Sequence, residues 1–135
     1  MSGHSKELSK AELKSFMALC PAELGPAARV EWDRVVPTLS ALKLLKHLDL
    51  AVVALYCNAY AGWISATKAV QEFGAVIKTP KGYPVQSPYV AIANHQASVM
   101  MKCADELCLT PASRIKVLQE RKITYWGNAE NPLEG

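Results

Sequence analysis

No Cys-x-x-Cys pair occurs in this sequence, and its four cysteines share no ligand spacing with its three histidines, His4, His47 and His95. Zinc therefore has no framework here, no metal and no cofactor is expected, and the cysteines read as small buried hydrophobes. No Gly-x-x-x-x-Gly-Lys-Ser/Thr loop is present, which excludes a P-loop ATPase. No acidic cluster resembles a two-metal nuclease site. Asp105 and Glu106 are adjacent on a predicted helix, where neighbours in sequence do not face each other. No histidine is placed beside a cysteine to activate it, and His95, between Asn94 and Gln96, reads as polar surface. Met1-Ser2-Gly3-His4-Ser5-Lys6 lacks the apolar core of a signal peptide. The greasiest stretch, Leu48 to Ile64, falls short of a membrane span and contains Asp49 and Asn58. Secretion and membrane association are not expected, and the thiols are expected to be reduced.

What is present suits one domain. The chain has 135 residues, half of them hydrophobic and a fifth charged, enough to bury a single core. Ser9-Lys10-Ala11-Glu12 has the form of a capping box, with Leu13, Phe16, Met17 and Cys20 behind it at helical spacing until Pro21. Pro26 opens a second helix over 26–43, with Trp32, Val35, Val36, Leu39 and Leu42 as its stripe and Pro37 bending it. A third helix runs from about Leu48 to Phe73, with Asp49 in its first turn and Gly74 as its C-terminal cap. Ala75 to Lys78 and Tyr83 to Gln86 alternate as strands around the turn Thr79-Pro80-Lys81-Gly82. Pro88 opens a fourth helix carrying Tyr89, Ile92, Gln96, Val99, Cys103 and Leu107. Thr110-Pro111 begins a fifth, with Ile115 and Leu118 expected inward.

The third helix is apolar on every side between Leu50 and Ile64, and such a helix must be covered on every side. One partner helix covers one face. Sister copies are the expected cover for the rest, through Leu55, Tyr56, Ala59, Tyr60, Gly62, Trp63 and Ala66. The expected architecture is mainly α: a helical-hairpin core with a short β-hairpin and two further helices, assembling as an oligomer. Residues 1–24 form a basic N-terminal segment with a short helix, 25–122 the oligomerisation core with its β-hairpin at 75–87, and 123–135 a flexible tail.

The net charge of +3 is unevenly spread. Residues 76–87 hold Lys78 and Lys81 without an acid, and residues 110–122 hold Arg114, Lys116, Arg121 and Lys122 against Glu120 alone. Together they carry +5, leaving −2 for the rest. Clustering of this kind is what phosphate binding requires, and it also serves simply to keep a surface soluble. Lys6, Lys10 and Lys14 recur every four residues, on one face of the first helix, and are assigned an assisting role.

From Arg29 to about Val117 the chain resembles a known family. The matching residues are Glu31-Trp32-Asp33-Arg34 with Pro37, Leu42-Lys43-Leu44-Leu45, Asp49, Leu55-Tyr56-Cys57, Tyr60 and Trp63. Gly74, Thr79, Gly82-Tyr83, Pro88, Ile92, Met101, Glu106-Leu107 and Leu109-Thr110-Pro111-Ala112-Ser113-Arg114 follow in order. This pattern is similar to the small terminase subunit of tailed bacteriophages and prophages. The resemblance implies a non-enzymatic ring in the cytoplasm of an infected bacterial host. It implies binding to the packaging start region of double-stranded viral DNA and delivery to the large terminase subunit, which supplies ATPase and nuclease. The 24 residues before Gly25 are too few for the helix-turn-helix domain many relatives carry, so DNA contact is assigned from charge to the nine cations above. Rival readings are a small dimeric cytosolic DNA-binding regulator, an interaction module docking through the Trp126 tail, and, more remotely, a thiol enzyme.

Overall fold

A computed structural model describes residues 2–42, 45 and 49–126, with backbone alone for residues 2–9 and 121–126. Five helices and one two-stranded sheet follow in the order α1 (Ser2–Ala18), α2 (Pro26–Ala41), α3 (Leu50–Phe73), β1 (Val76–Lys78), β2 (Pro84–Gln86), α4 (Pro88–Glu106) and α5 (Pro111–Trp126).

The first helix departs from its expected start. Ser9 lies inside α1, which begins at Ser2, because Lys6, Glu7 and Leu8 are themselves good helix formers that carry the helix past the capping box. At 17 residues it is longer than the short helix expected, and it anchors itself by burying Phe16 in the common core. Gly25 is extended and Pro26 occupies the first helical position of α2, where its missing N–H costs nothing. Trp32, Val35, Val36 and Leu39 are buried as the spacing predicts, whereas Leu42, past the helix end, is exposed. Pro37 is accommodated within α2. Lys43, Leu44 and residues 46–48, including the expected third-helix start at Leu48, lie outside the described residues. Asp49 is the residue before α3, not a member of its first turn.

The β-hairpin forms as expected. Val76 pairs with Gln86, Ile77 with Val85 and Lys78 with Pro84, antiparallel. Gly82 adopts φ +86 and its N–H donates to the Thr79 carbonyl at 2.8 Å. Positive φ at that position is what glycine permits without strain. Below the strands, the Ser87 N–H donates to Ala75 O at 2.8 Å, and the Ser87 hydroxyl accepts from the Tyr89 N–H to cap α4. Thr110 and Ser113 cap α5 reciprocally: the Ser113 N–H donates to Thr110 Oγ1 and the Thr110 N–H to Ser113 Oγ, both at 3.2 Å.

Three expectations are corrected by the packing. First, α4 packs against α3 more extensively than α2 does, so the second cover for the all-apolar helix is supplied within the chain. Tyr56, Ala59 and Ala66, expected at an interface between copies, are buried in the single protomer. A Cβ at Gly62 would stand 3.1 Å from Gln96 Cδ of α4. The fourth helix presents Ala93, Gln96 and Ala97 on its inner side, residues too small or polar to announce a packing stripe. Second, Ile115 and Leu118 of α5 face solvent, 56% and 62% exposed; among its described side chains, Ser113 and Val117 are withdrawn from it. Third, α5 continues to Trp126, into the segment expected as a tail; residues 127–135 lie outside the described residues. By length and composition α3 is long enough to cross a membrane, longer than its greasiest stretch implied. Its Val53, Tyr56 and Cys57 belong to the core shared with α2 and α4.

The close approach at Gly62 yields a prediction. Gly62→Leu forces the α3–α4 pair apart and is expected to cost about 1–3 kcal/mol, the usual range for overpacking. Gly62→Ala meets only the flexible Gln96 side chain and should cost much less. Thermal melts at one fixed protein concentration measure both.

Candidate nucleic-acid interface

Lys78 closes β1 opposite Pro84, which has no N–H to give to the ladder. Lys81 sits in the turn. There the Thr79 N–H donates to Tyr83 O at 2.8 Å and the Tyr83 N–H to Thr79 Oγ1 at 3.1 Å, holding the tip in one conformation. Both lysines are exposed. On α5, Arg114 and Lys116 are exposed one turn beyond the Thr110–Ser113 cap. Among the described residues none of these four cations is paired with a carboxylate; the ion pair found there joins Arg34 to Glu31. Lys10 and Lys14 are exposed on α1. Lys6 in α1 and Arg121 and Lys122 in α5 belong to the stretches whose side chains lie outside the described residues.

The structure does not bring the cations into one patch. The hairpin precedes α4 and α5 follows it, so the 19 residues of α4 separate the two basic groups by roughly 28 Å at 1.5 Å per residue. Lys10 and Lys14 belong to a third place, on the helix that packs against α2. A cleft of about 250 Å³ lies beside α5, walled by Leu39, Val52, Leu107 and Val117, with Asp49 and Glu106 also lining it. Two carboxylates make it a poor seat for an anion.

Among the expected interface residues, Leu55 is exposed while Tyr60 and Trp63 are half-buried. Tyr60 stacks at 6.5 Å from Tyr56 and stands 6.4 Å from Trp63, centroid to centroid. An aromatic row thus runs from the core to the surface of α3.

Sequence reasoning missed the function of Glu31. Its carboxylate is buried, 2% exposed, where an isolated charge is costly. It is compensated three ways: the Arg34 Nε donates to both carboxylate oxygens at 3.0 and 3.2 Å, the Arg34 guanidinium pairs with it, and the Tyr56 hydroxyl donates to Oε1 at 3.1 Å. The hydrogen bond to Glu31 raises the Arg34 pKa. Burial, then the adjacent Glu31 charge, pushes the Tyr56 hydroxyl up to about 12 and the Cys57 thiol up to about 12. The thiol is therefore protonated at neutral pH and a poor nucleophile. Burial likewise raises Cys20 and Cys103. All four cysteines are free, and Cys57 and Cys103 are buried. The i, i+3 pairing of Glu31 and Arg34 is local, whereas its closure by Tyr56 comes from 25 residues away. Among the described residues no group of three or more histidines, cysteines and acids is placed to hold a metal ion.

A family model described as phage terminase, small subunit, matches residues 28–122. That span runs from the first turn of α2 into α5. No curated protein and no solved structure matches the chain.

Proposed function

We propose a role for this chain from its kinship: it belongs to the phage terminase small-subunit family, and its work lies in phage DNA packaging. Within that process it acts as the non-catalytic partner in the infected host cell. Copies assemble into a ring, bind the packaging start region of double-stranded viral DNA and hand it to the large subunit, whose ATPase and nuclease do the chemistry. The observation that carries this reading is the extent of the family match, which takes in nearly the whole helical core.

The charge distribution supports the reading. Lys78 and Lys81 at one end of α4, and Arg114 and Lys116 at the other, are exposed cations without carboxylate partners among the described residues. One protomer offers few phosphate contacts, and a weak monovalent binder results. Repetition around a ring multiplies them and raises avidity without any new contact. Arg121 and Lys122 contact phosphates with them, and Lys6, Lys10 and Lys14 assist. The contact between copies draws on the accessible residues of the aromatic row, Leu55, Tyr60 and Trp63. Tyr56, Ala59 and Ala66 are already occupied inside the protomer, and Gly62 is taken by Gln96.

Lys78→Glu/Lys81→Glu/Arg114→Glu should keep the oligomeric mass in native mass spectrometry and lose salt-dependent duplex binding. If each of the three cations neutralises one phosphate, the slope of log K against log salt falls by nearly three per protomer, at ~0.9 per contact. Unchanged binding overturns the phosphate assignment. A wild-type dimer instead of a ring would favour a DNA-binding regulator.

A further inference from the structure

From Phe73 through Ala104 the sequence contains no acidic residue, while it carries Lys78, Lys81 and Lys102. This stretch is the β-hairpin and almost all of α4. On α4, Asn94, Ser98 and Lys102 recur every fourth residue, with His95 beside them, and all four are exposed. Helical spacing of four stacks them on one face, opposite Cys103, Ala104 and Leu107, which enter the core. The first acid along the stripe is Asp105, whose Oδ1 accepts from Thr110 Oγ1 at 3.4 Å.

We infer that this outer face of α4, through Asn94, His95, Ser98 and Lys102, reads base edges of double-stranded DNA in the major groove. The inference rests on the DNA-binding reading above and adds to it the surface that confers sequence preference. Phosphate contacts position a protein on the duplex and do not specify sequence, so the lysines and arginines already named leave selectivity without a source. The face of α4 supplies the chemistry they lack. An asparagine amide donates and accepts together, as the adenine edge requires; lysine donates to guanine acceptors; serine serves either base. An imidazole offers a donor and an acceptor on one ring.

Dimensions agree. A helix 10–12 Å across fits a major groove about 12 Å wide. Lys78 and Lys81 stand on the hairpin before α4, where flanking phosphates would run. A second copy of this chain is the poorer occupant. The core of a subunit interface is apolar and depleted in charge, whereas this stripe offers amide, imidazole, hydroxyl and ammonium groups.

The test is selection from a duplex library randomised over two helical turns, about 20 base pairs, with wild type and with Asn94→Ala/His95→Ala/Ser98→Ala. Wild type should enrich a defined motif. The triple variant should lose that preference over random duplex by about 10–100-fold, the range a good base contact supplies. Its helical ellipticity, oligomeric mass and salt slope on random duplex should stay unchanged, since the three residues are exposed. Lys102→Ala should relax the enriched motif at the one position that Lys102 reads; a motif unchanged at every position counts against its place in the reading face. An identical motif from the triple variant overturns the inference and leaves the phosphate assignment standing. A wild type that binds duplex but enriches nothing overturns it as well, and so does a change of mass in the variant, which would make the face a contact between copies. A wild type that binds no duplex sinks the packaging reading itself.

Discussion

Trp32→Ala is expected to cost about 3–5 kcal/mol, the range for emptying a large aromatic site in a core, and to leave little folded protein at 37 °C. Trp32 is the largest of the fully buried side chains, at 0% exposure, and packs in one cluster with Phe16, Leu39, Val53 and Cys57, residues contributed by three helices. Removing it opens a cavity at the place where α1, α2 and α3 meet. A domain of this size holds about 5–15 kcal/mol in total, so a loss of that order dominates it. Trp32→Phe separates the packing contribution from the polar one. The indole Nε1 is buried without a hydrogen-bond partner among the described residues, and a buried donor left unsatisfied costs about 1–3 kcal/mol. Phenylalanine gives up one ring's worth of contact but removes that orphaned donor, and should cost under about 1.5 kcal/mol. Urea titrations at a common protein concentration measure both. Equal losses for the two variants would show that volume does not govern this site.

The second large effect is a loss of stability in alkali. Tyr56 titrates near 12 in the fold against an ordinary 10, and Cys57 near 12 against an ordinary 9. In both, folding favours the protonated group, because burial disfavours the anion and Glu31 adds a like charge. The stability this contributes is fully present below about pH 9 and is lost progressively as pH rises toward 12. At about 1.4 kcal/mol for each tenfold change in proton affinity, two such changes at Tyr56 and three at Cys57 bring the pair to at most about 7 kcal/mol. Denaturation midpoints between pH 8 and pH 11.5 should therefore fall steeply. Tyr56→Phe/Cys57→Ala should be less stable at pH 8, having lost a hydrogen bond and some packing, but much flatter in its pH response. A double variant as steep as wild type would place the alkaline sensitivity elsewhere.

Where each element lies was legible because its signals are local. Pro26, Pro88 and Pro111 mark helix starts through a fixed φ and a missing donor; Gly74 and Gly82 mark stops and turns through positive φ; the stripe of Trp32, Val35, Val36 and Leu39 follows from the pitch of a helix. Each is decided within a few residues, and the structure agrees with each. The start of α1 was misread for the same reason, since a local capping pattern at Ser9 competes with good helix formers ahead of it. The family pattern was legible too, because it combines turn and cap residues such as Gly82 and Thr110 with helix-interior residues such as Trp32 and Tyr56, each visible where it stands in the sequence.

Contacts between distant residues were decided only by the tertiary structure. That α3 is apolar on all sides is written in its residues, but whether α4 or another copy covers it depends on how two helices pack, and small residues such as Ala93, Ala97 and Gly62 fit either outcome. Glu31 and Tyr56 look like a surface acid and a greasy aromatic until the fold places one against the other. Ile115 and Leu118 keep a core-like spacing, yet the fold leaves both exposed. Local patterns fix backbone geometry because neighbouring atoms interact whatever the rest of the chain does. A side chain's partner is chosen by the summed packing of the whole chain, and no short window contains that sum.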